Sequence, residues 1–109
     1  DMFDCIMPTR NGRNGQIFTK NGVMNMRNER WKNDFSPIEE DGASFVDTLY
    51  SKAYLRHLIT ANELLGLQIA SIHNLAFYLW LVQEARKHVI EGDFHTWKPM
   101  MIERVTRRL

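Results

Sequence analysis

Residues 71–92, SIHNLAFYLWLVQEARKHVIEG, decide how this chain folds. Ser71 offers a side-chain oxygen to the free amides at a helix start, and Gly92 stands where a chain turns out of a helix. The two marks predict a helix from Ser71 to Glu91. Its middle, LAFYLWLV (75–82), is apolar nearly all round, whereas a surface helix buries a single stripe. This helix therefore has to be covered on more than one face, by the other helices or by protein outside the chain.

Upstream, Tyr54, Leu55, Leu58, Ala61, Leu64 and Leu65 recur at helical spacing, which predicts a helix over 48–65 with Gly66 as its C-terminal cap. Downstream, a third helix starts after Asp93 or Thr96. Pro99 falls in its first turn, where a missing amide proton costs little, and RVTRRL (104–109) closes it with arginines that suit the negative end of a helix dipole. Near the N-terminus, Met2, Phe3, Cys5, Ile6 and Met7 form a short apolar run closed by Pro8 and read as a buried strand. RNGRNG (10–15) is dense turn chemistry, and QIFTKNGVMNMRN (16–28) has the pattern of a hairpin turning at Asn21-Gly22. Residues 33–47 lack periodicity, contain Pro37 and Gly42, and read as an irregular connector. The expected class is α/β: a strand, loop and hairpin over 1–32, an acidic connector over 33–47, and three helices over 48–109.

Composition narrows the function classes. The chain has 44% apolar and 25% charged residues in 109, ordinary for one globular domain. Neither an apolar run of about 18 residues nor a signal peptide is visible, so no membrane partner is expected. A lone cysteine cannot form an internal disulfide, which fits a reducing cytoplasm. Net charge is +1, but residues 1–32 hold six Lys/Arg against three acids, while 33–47 hold five acids and no base. That asymmetry suggests a basic N-terminal face able to meet phosphate, unless it is merely solvated surface.

Asp4 lies among apolar neighbours, so its carboxylate needs a reason to be there: a turn acceptor and a nucleophile are both open readings. Cys5 reads as a small core residue. His57, His73, His88 and His95 are scattered with no metalloprotease spacing, and NGRNG does not open a helix as a phosphate-binding glycine fingerprint would. Arg10 and Arg13 flank a glycine in the loop beyond the run that bears Asp4, an arrangement suited to a phosphate-bearing substrate or to plain solvation.

The stretches DMFDCIMPTRNGRNGQIFT (1–19), NMRNERW (25–31) and YSKAYLRHLITANELLGLQIASIHNLAFYLWLV (50–82) closely resemble the C-terminal part of bacterial tRNA-guanine transglycosylases, the queuine tRNA-ribosyltransferases. The resemblance implies a TIM barrel with a zinc-binding subdomain. It implies an enzyme that exchanges guanine at the tRNA wobble position for a 7-deazaguanine precursor of queuosine, and that commonly acts as a homodimer. Asp4 matches the nucleophile, and Thr9, Arg10, Asn11, Gly12 and Arg13 match the segment that recognises the wobble nucleotide and its neighbours. At 109 residues the chain is too short for a whole barrel, so it is expected to be the C-terminal part of a longer enzyme and inactive alone.

One departure concerns the metal. The family's zinc ligands, C-x-C-x-x-C followed by a histidine, fall at Gly42, Ser44, Asp47 and His73, and three of the four lack the family's ligand. No zinc and no other cofactor is expected. Packing of Phe45, Val46 and Leu49 is expected to fix the connector, with His73 a helix-start residue making a local hydrogen bond. The alternative function is a noncatalytic RNA-binding or dimerisation module. Tyr50, Tyr54, Phe77, Tyr78 and Trp80 would then form a contact if exposed, or ordinary core if not.

Overall fold

Helix α4 is the spine of the molecule. A computed structural model describes residues 2–109, which form α1 (Met7–Arg13), β1 (Gln16–Thr19), β2 (Gly22–Asn25), a 3-10 turn (Glu29–Trp31), α2 (Val46–Leu49), α3 (Lys52–Thr60), α4 (Leu64–Glu91) and α5 (Phe94–Val105). By length and composition α4 could cross a membrane, a test that core helices of folded domains also pass. Its buried His73 and Asn74 bond to the hairpin and to α1, as in the spine of a folded unit. The sequence shows no uninterrupted apolar run of membrane-spanning length, yet this helix passes that test by its average over 18 residues.

The hairpin forms as expected, one residue earlier. Strands β1 and β2 pair antiparallel with Ile17 opposite Met24 and Thr19 opposite Gly22, so Lys20 and Asn21 make the turn. Ile17, Met24 and Met26 are fully buried, and they meet Leu55, Ile59 and Ile69 in the core. Gly22 sits at φ +143°, and a Cβ there would meet the Arg107 carbonyl oxygen at 2.5 Å. The chain's C-terminus lies along β2, with Val23 N–H donating to Arg107 O (2.7 Å) and Leu109 N–H to Val23 O (2.9 Å).

The N-terminal strand does not form among the described residues. Residues 2–6 are irregular, with Met2 95%, Phe3 75% and Ile6 66% exposed, and Cys5 is exposed rather than core. A strand persists only where neighbours take up its backbone hydrogen bonds, and the hairpin's own groups are spent within the pair, on α4 and on the C-terminus. Pro8 instead occupies the first turn of α1, where its fixed φ suits a helix. The RNGR loop is helical as well. Buried Gly12 lets α1 approach α4 so closely that a Cβ would lie 3.2 Å from the Ala70 carbonyl carbon.

The helical part contains a second difference. Ser51, whose Oγ accepts from Tyr54 N–H at 3.1 Å, caps α3, which starts at Lys52, four residues later than expected, and ends at Thr60. Gly66 is not its cap. It lies in the first turn of α4, against α3, where a Cβ would stand 2.9 Å from Leu58 Cβ. Ser71 is accordingly within α4, whose end at Gly92 (φ +84°) matches the expectation. Helix α5 follows Asp93, with Pro99 inside it and not in its first turn; buried Trp97 and Met101 anchor it to α4.

Asn74 holds three of these elements together. Its Nδ2 donates to Pro8 O (3.0 Å) and Gln16 O (2.9 Å), and its Oδ1 accepts from Phe18 N–H (3.1 Å). Replacing Asn74 with Ala would strand those groups away from water, since the side chain is fully buried. Asn74→Ala is expected to lower unfolding stability by about 2–4 kcal/mol, read by urea denaturation.

Candidate functional site

Thr9, Arg10, Asn11, Gly12 and Arg13 lie together on α1. Thr9 Oγ1 donates to Ile6 O (3.2 Å), and Asn11 accepts from Arg10 Nε (3.2 Å) while donating to Gln16 Oε1 (2.9 Å). Arg10 and Arg13, three residues apart and exposed, share a helix face in the last turn, and neither is in an ion pair among the described residues. Two like charges on one face favour a bound anion, and guanidinium matches phosphate oxygens in pairs. Asp4 precedes this helix in the exposed residues 2–6 and makes no hydrogen bond or ion pair among the described residues. The fold therefore collects the basic segment and leaves Asp4 exposed.

A second cluster is assembled from remote positions. Gly42, Ser44, Asp47 and His73 converge where the connector meets α4, and Asp47 and His73 are each 1% exposed. Asp47 Oδ1 pairs with His73 Nδ1, and Asp47 Oδ2 accepts from Ser44 N–H at 3.1 Å. His73 Nε2 faces Phe18 O at 2.6 Å. Both ring nitrogens thus face acceptors, and only an imidazolium can donate to both. Burial opposes that charge, but the hydrogen bond and charge of Asp47 and the Phe18 carbonyl outweigh it and raise the His73 pKa above its ordinary value. Next to them, Glu39 accepts from Lys20 N–H at 2.7 Å, yet burial still raises its pKa.

These contacts correct the sequence reading. His73 is mid-helix and bonded across the fold, not a helix-start residue with a local partner. Val46 packs in the core, but Phe45 and Leu49 are 70% and 63% exposed, so Asp47 rather than an apolar trio ties down this end of the connector. Of the five aromatics, Phe77 is buried and only Tyr54 counts as exposed; Phe77 and Trp80 pack together, as do Tyr50 and Tyr54. Asn74 and Glu39 escaped the sequence reading, and Asp47 entered it only as a position that lacks the family's cysteine. A polar His-Asn pair inside an otherwise apolar helix was the available signal.

Comparison with known proteins decides the family. The family model described as queuine tRNA-ribosyltransferase matches residues 1–107. The chain belongs to the queuine tRNA-ribosyltransferase family. It is 43% identical over 109 residues to a queuine tRNA-ribosyltransferase of Aquifex aeolicus, covering 100% of this chain and 29% of that protein. Against proteins of the same name the figures are 47% over 108 residues for Helicobacter pylori strain 26695 (99% and 29%) and 46% over 97 residues for Thioalkalivibrio sulfidiphilus (89% and 26%). The chain thus spans under a third of the length of these relatives. The family implies a barrel enzyme, whose barrel is not among the described residues.

The zinc that the resemblance implies does not suit the residues found here. Gly42 has no ligand atom, and a Cβ on it would fall inside the Asp47 carboxylate. Asp47 touches His73 directly, which leaves no space between them for an ion, and both ring nitrogens are engaged. No thiolate is within reach of the cluster, because the single cysteine is at position 5, exposed.

The raised His73 value has a definite sign. A histidine that holds its proton more tightly when folded stabilises the fold fully below the unfolded pKa near 6.5, and that contribution disappears as pH rises through the folded value. Glu39 acts in the same direction, its contribution present below about 4.5 and lost as pH rises. The His73 ring, followed by its NMR chemical shift, is expected to titrate above 6.5, and His73→Gln is expected to flatten the fall in thermal midpoint above that pH.

Proposed function

We propose that this chain works as the C-terminal part of an enzyme that exchanges guanine at the wobble position of tRNA for a 7-deazaguanine base by two displacements at one sugar carbon. The observation that carries this reading is the family match over residues 1–107, which takes in Asp4 and the basic segment Thr9–Arg13. In the first displacement an Asp4 carboxylate oxygen bonds to C1′ of the ribose as the bond from C1′ to guanine breaks. The departing guanine takes a proton from an acid supplied by the rest of the enzyme. In the second, the incoming base gives a proton back to the conjugate base of that acid, bonds to C1′ as the bond from C1′ to the Asp4 oxygen breaks, and releases Asp4, so the sugar keeps its configuration.

The chain's own residues have distinct parts in this scheme. Arg10 and Arg13 bind phosphate oxygens beside the reacting nucleotide and offset repulsion between RNA and the Asp4 carboxylate. Asn74 fixes α1, and with it both arginines, by holding Pro8 O. Asp4 is exposed here, which fits a nucleophile whose pocket is completed by other parts of the enzyme. On this reading the chain alone is inactive, and the whole enzyme is a cytoplasmic homodimer. The two exposed arginines are also what a noncatalytic RNA-binding module would present, so the test must separate the two readings.

In the full-length protein, Asp4→Asn is expected to lower guanine exchange by more than about 1,000-fold while leaving tRNA affinity within a few-fold. Denaturation during turnover is expected to trap RNA on the unaltered protein and not on the variant. Unimpaired exchange would remove Asp4 as nucleophile. Arg10→Ala and Arg13→Ala are each expected to weaken tRNA binding and to make the salt dependence shallower by about 0.7 in log–log slope.

A further inference from the structure

We infer that this chain joins its connector to α4 by a metal-free cross-link, the Asp47 carboxylate on the His73 ring, at the place where its family is cross-linked by zinc. The inference is independent of the catalytic reading, since it concerns how residues 33–47 are held.

Each end of the cross-link is built into its surroundings. Asp47 lies in the first turn of α2 while its Oδ2 accepts from Ser44 N–H, so the carboxylate also closes the turn leading into that helix. The space where residue 42 would carry a side chain is filled by this carboxylate. On the α4 side, the His73 ring passes the connection on to the hairpin through Phe18 O. Connector, α4 and β1 are thereby linked in series. Burying such a pair is costly unless every donor and acceptor is matched; here both ring nitrogens and both carboxylate oxygens have partners. Losing either partner leaves the other buried and unmatched, which is how a metal cross-link also behaves when a ligand is lost.

The competing reading is a divalent ion held by Glu39, Asp47 and His73, whose ligand-type atoms lie within 4.8 Å of one another. An ion there would have to displace existing bonds: Glu39 Oε2 to Lys20 N–H at 2.7 Å, His73 Nδ1 to Asp47 and His73 Nε2 to Phe18 O. It would also be bound by one nitrogen and two carboxylates, without the thiolates that suit a structural zinc site.

The test uses the natural full-length protein, purified from zinc-replete cells. Elemental analysis is expected to find less than about 0.1 zinc per chain, and excess EDTA is expected to leave the thermal midpoint within about 1 °C. About one zinc or another divalent ion per chain, or a drop in midpoint with EDTA, would overturn the inference. Asp47→Ala and His73→Ala are each expected to lower the midpoint by about 5 °C or more, with the double variant no lower than the worse single. Additive losses would instead mean that the two side chains act separately. Should an alanine variant fail to fold, Asp47→Asn and His73→Gln carry the same comparison, and the metal and EDTA measurements need no variant.

Discussion

The backbone of one residue, Phe18, is gripped from both sides by two adjacent side chains of α4, and the positions of the other elements depend on that grip. Phe18 N–H donates to Asn74 Oδ1 and Phe18 O accepts from His73 Nε2. A two-stranded hairpin leaves an edge of unpaired amides and carbonyls, which a larger sheet would satisfy with another strand. Here the side chains of a helix do so. The polar pair is therefore the reason that an apolar helix can lie across a strand edge without stranding buried hydrogen-bonding groups.

From that junction the remaining geometry spreads outward. Asn74 reaches Pro8 O and so sets α1 against α4, with Gly12 permitting the close approach; the two arginines are presented as a consequence. His73 reaches Asp47 and draws in the acidic connector. Lys20, in the hairpin turn, donates its N–H to Glu39 and sets its ammonium 4.7 Å from the centre of the Trp80 ring, closing the same corner. The other side of α4 lacks such partners among the described residues. Leu75, Leu79, Val89 and Ile90 are exposed, and an open apolar groove of about 610 Å³ runs between α4 and α5, as the all-round apolar pattern of this helix requires of a surface that something else covers.

What could be read beforehand was what depends on local chemistry. The turn near Asn21 and Gly22 and the αL stop at Gly92 follow from residues within a few positions and stand where the pattern put them to within a residue, while α5 takes the earlier of its two expected starts, after Asp93. Gly66 misled because glycine has two uses: it ends helices, and it allows two helices to touch. Nothing local distinguishes them, and the contact with Leu58 that decides the case is made by a different helix. The N-terminal apolar run misled for a related reason, since strand propensity has no effect where no neighbour pairs with it. In the candidate site the basic segment was legible as a motif, but its helical form was not. That Asp47 and His73 meet was legible only through the resemblance, which puts both at the family's zinc positions; that Glu39, 34 positions from His73, joins them was not.

The sequence by itself determined the family, through long stretches of matched residues, and which residues carry charge. The tertiary structure alone decided that Asp47 and His73 bond to each other directly. A carboxylate on the connector and an imidazole in the middle of α4 become partners only when the chain folds back, with the hairpin's Phe18 carbonyl taking the imidazole's other nitrogen. Neither charge would be tolerated in that interior without the other, since a buried ion is stable only when its counterpart and its hydrogen bonds arrive with it.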